Sequence, residues 1–88
     1  MTDTDTTTGD PEAAVTLDTS GLLCPLPVYK AALALKSLEP GQVLELICTD
    51  RGSLEDIPAM ARQRGDILTR SDDRGGTQVF WIEKGAGR

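Results

Sequence analysis

Apolar and polar residues alternate over Val15-Thr16-Leu17-Asp18, the pattern of a short half-buried strand. Thr19-Ser20-Gly21 then reads as a loop. From Pro25 to Leu38 the period lengthens: Val28, Ala31, Ala32, Leu35 and Leu38 share one helical face, with Lys30, Lys36 and Ser37 off it. Glu39-Pro40-Gly41-Gln42 ends that helix. Val43 to Cys48 is rich in β-branched and apolar residues, as in a well-buried strand. After a turn at Thr49-Asp50-Arg51-Gly52, Ser53 opens a second helix, with Asp56 three residues on in a variant of the capping box. This helix runs to about Arg64 and stops at Gly65, a natural C′ residue. Pro58 inside it is expected to bend it. Ile67 to Arg70 is a third strand, Asp72 to Gly76 a hairpin turn, and Gln78 to Lys84 a fourth strand.

The order β-α-β-α-β-β predicts a right-handed crossover between parallel first and second strands and an antiparallel hairpin at the end. The expected fold is an α/β two-layer sandwich: a mixed four-stranded sheet with both helices on one face.

Composition narrows what this domain can do. The 88 residues allow one domain, and they include two cysteines and no histidine. Catalysis by Ser-His-Asp or Cys-His is excluded, and the Cys/His ligands of a structural zinc site are too few, so no metal site is expected. The formal net charge is −5. Asp3, Asp5, Asp10 and Glu12 stand in a stretch with no Lys or Arg, and without them the net charge is −1. Residues 1–14 therefore read as a disordered acidic tail, 15–84 as the domain and 85–88 as a C-terminal tail. The start lacks the basic and apolar regions of a signal peptide, and no run approaches a membrane span. A cytoplasmic protein with reduced thiols is expected.

Candidate chemistry lies in Leu22-Leu23-Cys24-Pro25-Leu26-Pro27-Val28. Cys24 falls at the expected N-cap, Pro25 at N1 and Pro27 at N3, with Leu23 and Val28 placed as a hydrophobic staple. Leu26 precedes a proline, which predicts a distorted first turn. Cysteine is a poor N-cap, so its presence there points to chemistry. The positive end of a helix favours thiolate over thiol. The alternative is a small half-buried residue at a loop corner.

The run Leu17-Asp18-Thr19-Ser20-Gly21-Leu22-Leu23-Cys24-Pro25-Leu26-Pro27 resembles the N-terminal signature of the TusA/SirA-like sulfur-carrier proteins, with its Cys-Pro-x-Pro centre. The resemblance continues through Lys30, Gly41, Asp50, Ser53, Asp56-Ile57-Pro58, Gly65 and Phe80-x-Ile82-x-Lys84. It implies the same β-α-β-α-β-β sandwich and a persulfide on Cys24. Sulfur would come from a cysteine desulfurase or rhodanese-type donor and pass to an acceptor protein, without cofactor. Such carriers serve tRNA thiolation, molybdenum-cofactor enzyme maturation and sulfur metabolism, and act as persulfide carriers rather than stand-alone enzymes. Two positions depart from the pattern: Arg51 stands where proline usually follows the Asp, and Asp66 where many relatives have histidine.

Pro25, Pro27, Asp50 and Arg51 are expected to shape the site. Parallel first and second strands bring Asp50 and Arg51 to the same sheet edge as Cys24. Asp50 opposes ionisation of the sulfur or holds the loop by hydrogen bonds; Arg51 is expected to offset Asp50 and favour the thiolate. Lys30 and Leu26 are expected as partner-docking contacts, the alternative for Lys30 being a solvated lysine. Cys48 reads as inert core, and Trp81 as an interface residue on the open sheet face. Two other functions compete with the carrier. A thiol-redox regulator working through Cys24 has no Cys-x-x-Cys to support it. Against an RNA-binding module stand the net charge of −1 from Val15 onward and only three aromatics, so no direct nucleic-acid contact is expected.

Overall fold

A computed structural model describes residues 13–86. The acidic stretch of residues 1–12 lies outside the described residues. The elements are β1 (Val15–Thr19), α1 (Leu26–Ser37), β2 (Val43–Cys48), α2 (Ser53–Arg64), β3 (Ile67–Asp73) and β4 (Gln78–Glu83). They form one four-stranded sheet in the order β1-β2-β4-β3. β1 runs parallel to β2, and β4 runs antiparallel to both β2 and β3. This is the mixed sheet expected from the pattern.

The core explains the order. Leu44, Leu46 and Cys48 alternate inward on β2, and Phe80 and Ile82 do so on β4. Leu44 stands opposite Ile82 and Leu46 opposite Phe80, so the two central strands present one continuous apolar face. Ala31, Leu35 and Leu38 from α1 and Ile57, Met60 and Ala61 from α2 close over it. Both helices therefore cover the same face.

Boundaries differ where polar residues mislead the pattern. Asp72 and Asp73 belong to β3, opposite Val79 and Gln78, and are not a turn. β3 lies at the sheet edge, where charged residues are tolerated and discourage further pairing. Asp72 is held by Arg74 at 3.1 Å. The turn is Arg74 to Thr77, closed by Arg74 N–H on the Thr77 carbonyl at 2.8 Å. Gly75 (φ 68°) and Gly76 (φ 106°) occupy its centre, where only glycine accepts positive φ without strain. The pairing of β3 with β4 carries a register shift between Leu68 and Arg70.

Trp81 is a second correction. It sits on the open face, but it is only 2% exposed, and the Arg70 guanidinium lies 4.7 Å above its ring. It is covered structure rather than a free interface residue. Gly85 is also anchored. Gly85 N–H donates to Asp66 Oδ1 at 2.8 Å, while Asp66 Oδ2 takes Arg64 Nε at 2.8 Å. Gly85 is thereby held to the domain, and Asp66 ties the end of α2 to the end of β4.

Candidate active site around Cys24

The loops after β1 and β2 meet at one sheet edge, as parallel strands require. Thr49 Oγ1 accepts the Gly21 N–H at 2.8 Å, and Asp50 Oδ2 accepts the Cys24 N–H at 2.9 Å. The second loop thus holds the first. Thr19, fully buried, donates to the Ile47 carbonyl at 2.6 Å and fixes the end of β1 against β2. In the amide orientation that satisfies its bonds, buried Gln78 donates to the carbonyls of Cys48 (3.2 Å) and Asp50 (3.3 Å). Hydrogen bonds from Ser20, side chain first and then backbone, hold Asp18 below its usual value of 3.8 and stiffen the exit from β1.

α1 starts one residue later than the sequence implies. The Pro25 carbonyl accepts the first helical bond, from Tyr29 N–H at 2.9 Å, so Pro25 is the N-cap and Cys24 precedes it. Leu26 N–H donates to the Leu23 carbonyl at 2.9 Å and closes a tight turn across the cis Cys24–Pro25 peptide. Pro27 becomes N2, where its missing N–H orphans nothing, and its ring is buried. The expected staple is absent: Leu23 is 69% exposed. Leu26 is helical although it precedes Pro27.

The largest correction concerns charge. Cys24 Sγ is partly exposed and donates to Asp56 Oδ2 at 2.7 Å. That bond, then burial, then the charges of Asp56 and Asp50 push the thiol up from 9.0 to about 12. The partial charge of the helix end, weakened by two prolines, is outweighed by two carboxylates. Arg51 does not compensate. It is exposed, and among the described residues it forms no ion pair with Asp50, whose Oδ2 is engaged by the Cys24 backbone.

From sequence, Asp56 reads as part of a capping box and of the family resemblance, with no role at the sulfur. Instead α2 has Gly52 as its N-cap with no side-chain cap bond, and Ser53 is its first helical residue. The freed Asp56 carboxylate reaches the sulfur. Gly52 matters for space: a Cβ there would lie 3.2 Å from Asp50 Oδ2 and 3.6 Å from Cys24 Sγ. The sequence carries one hint of this cluster, an acid in the first turn of the helix leaving the same sheet edge. Cys48 is wholly buried, with Thr19 Oγ1 at 3.5 Å from its sulfur. Lys30 and Leu26 are exposed on α1, beside Leu23 and the 62%-exposed Tyr29.

Residues 15–84 match the family model described as sulfurtransferase TusA. Over 68 residues the chain is 47% identical to the sulfur carrier protein TusA of Allochromatium vinosum, covering 77% of this chain and 90% of that protein. It is 41% identical over 69 residues to the putative sulfur carrier protein YrkI of Bacillus subtilis, covering 78% and 92%. The crystal structure of a SirA-like protein from Desulfitobacterium hafniense superposes with a TM-score of 0.72 at 29% identity, over 81% of this chain and 97% of that one.

Proposed function

Because this chain belongs to the sulfurtransferase TusA family, we propose that it relays sulfane sulfur as a persulfide on Cys24. The carrying observation is the contrast between its two thiols: Cys24 is partly exposed at the sheet edge with its backbone pinned by Asp50, while Cys48 is sealed in the core. Sulfur carriage needs one thiol that a partner's sulfur can reach and that stays in place while it does. It needs no imidazole and no cofactor.

The donor in this reading is a cysteine desulfurase or a rhodanese-type protein, and the acceptor a protein of tRNA thiolation, molybdenum-cofactor enzyme maturation or sulfur metabolism. Both would dock over the exposed Leu23, Leu26 and Tyr29 beside Lys30. Exposed apolar groups next to the reacting atom give a partner something to bury while sulfur changes hands. Asp50, Pro25 and Pro27 set the position of Cys24. The reaction belongs in the cytoplasm, where thiols stay reduced. No helix among the described residues is long and apolar enough to cross a membrane. A Cys24–Cys48 redox pair gains nothing from the structure, since Cys48 faces the helices.

The test is intact-protein mass after incubation with a cysteine desulfurase and cysteine, and separately with thiosulfate and a rhodanese. The expected result is a gain of one sulfur atom that reductant removes and Cys24→Ser abolishes. No gain from either donor, or a gain that survives in Cys24→Ser, overturns the proposal.

A further inference from the structure

Two carboxylates beside a nucleophile present a problem. With the thiol titrating near 12, only about one Cys24 in 10⁵ is a thiolate at pH 7, against about one in 10² for a thiol at 9.0. The remaining anion is the stronger nucleophile, so a site that merely repels it would slow its own reaction by about 30–60-fold. A positioned general base contributes about 10²–10⁴-fold, enough to cover that deficit. The contact that suppresses the free thiolate is also the contact through which its proton can leave.

We propose that Asp56 is the catalytic proton acceptor for Cys24 during sulfur loading. The inference rests on the carrier reading above and deepens it. Its support is geometric. Asp56 Oδ2 lies 2.7 Å from Sγ, within direct transfer distance, and the bond runs from sulfur to carboxylate. The side chain is not drawn elsewhere, since it caps no N–H of α2, and among the described residues it joins no ion pair. The neighbouring carboxylate is placed differently, since Asp50 Oδ2 accepts the Cys24 backbone N–H and so positions the residue. Gly52 leaves open the space beside Cys24 Sγ and Asp50 Oδ2. The charges acting on the sulfur are Asp56 from α2 and Asp50 from the β2–α2 loop. The first turn of α1, packed on the other side, is Leu26-Pro27-Val28 and brings no charge.

In the step, the Cys24 S–H proton passes to the Asp56 carboxylate as Sγ attacks the terminal sulfur of the donor's persulfide. A new S–S bond forms on Cys24 and the donor's own S–S bond breaks. The donor cysteine leaves with the electron pair as a thiolate. The sulfane sulfur changes hands without net oxidation, and the proton on Asp56 is returned to solvent or to the departing thiolate.

The experiment is single-turnover loading from saturating persulfidated cysteine desulfurase, followed by quenched intact mass from pH 6 to 9. Wild type, Asp56→Asn, Asp56→Ala and Asp56→Glu are compared, with Cys24→Ser as the blank. Wild-type loading is expected to vary little with pH. Asp56→Asn and Asp56→Ala are expected to load at least tenfold more slowly at pH 7, with log rate rising about one unit per pH unit as free thiolate takes over. Asp56→Glu should recover most of the rate. Alkylation by iodoacetamide, run in parallel, should be no slower in Asp56→Asn than in wild type, which separates lost proton transfer from a lost fold. Equal or faster loading by the Asn and Ala variants overturns the role, as does slower loading with an unchanged pH slope. Failure of wild type itself to load from either donor type overturns the carrier reading instead.

Discussion

Replacing Asp50 separates its two effects on Cys24. The Asp50 carboxylate accepts the Cys24 N–H at 2.9 Å, while its backbone carbonyl receives Ser53 N–H at 3.0 Å. Asp50→Ala removes the carboxylate's contacts with Cys24 and leaves the backbone bond. A hydrogen bond to a charged group contributes about 1.5–3 kcal/mol. The partly buried setting favours the low end, about 1.5–2 kcal/mol. For a domain this size each kcal/mol shifts Tm by about 4–8 °C, so a fall of roughly 6–16 °C is expected by scanning calorimetry. The sulfur should respond oppositely. Asp50 opposes ionisation of Cys24, and loss of one nearby charge in water-like surroundings changes a thiolate population by about fivefold or less. Alkylation by iodoacetamide at pH 7 should therefore quicken by up to that factor, although the protein is less stable. Asp50→Asn keeps an acceptor oxygen without the charge, so it should quicken alkylation equally while lowering Tm by about half as much. An unchanged Tm in Asp50→Ala would refute the view that this bond holds the loop. Slower alkylation in both variants would refute the electrostatic reading of the site.

Two further outcomes concern stability. Between pH 9 and about 12 the folded chain keeps the Cys24 proton that the unfolded chain has lost, so this group's contribution to stability is full below pH 9 and falls as pH rises towards 12. Urea unfolding across that range should show a steeper alkaline decline in wild type than in Cys24→Ser, and parallel curves would contradict it. A methyl group at Gly85 would collide with the Gly65 carbonyl oxygen and lie 2.9 Å from its carbon. Gly85→Ala should therefore cost about 2 kcal/mol of overpacking and lower Tm by about 8–16 °C. A shift under about 3 °C would show that the end of β4 does not close on α2 through Gly85.

Sequence periodicity determined the skeleton of this protein. The change from period two at Val15–Asp18 to helical spacing at Val28–Leu38, and back at Val43–Cys48, reflects which faces must be dry, and burial enforces that pattern wherever a core forms. Gly65 ends α2 as expected, because a left-handed residue there (φ 82°) costs glycine nothing. The candidate nucleophile was also legible, since a cysteine between two prolines and a loop at a helix start has little structural purpose. Its ionisation was not. A helix end supplies a local field that can be read along the chain, but the sign of the net field depends on Asp50 and Asp56, 26 and 32 residues away. Sequence alone assigns the side chain of Asp56 to capping because nothing local distinguishes a carboxylate that caps from one that reaches across to another loop. Asp72 and Asp73 mislead for the same reason: polar residues signal a turn until an edge strand takes them up. Local chemistry is written in neighbouring residues, whereas the charge felt at the sulfur is a sum over groups that only the crossing of two loops at one sheet edge brings within a few ångströms.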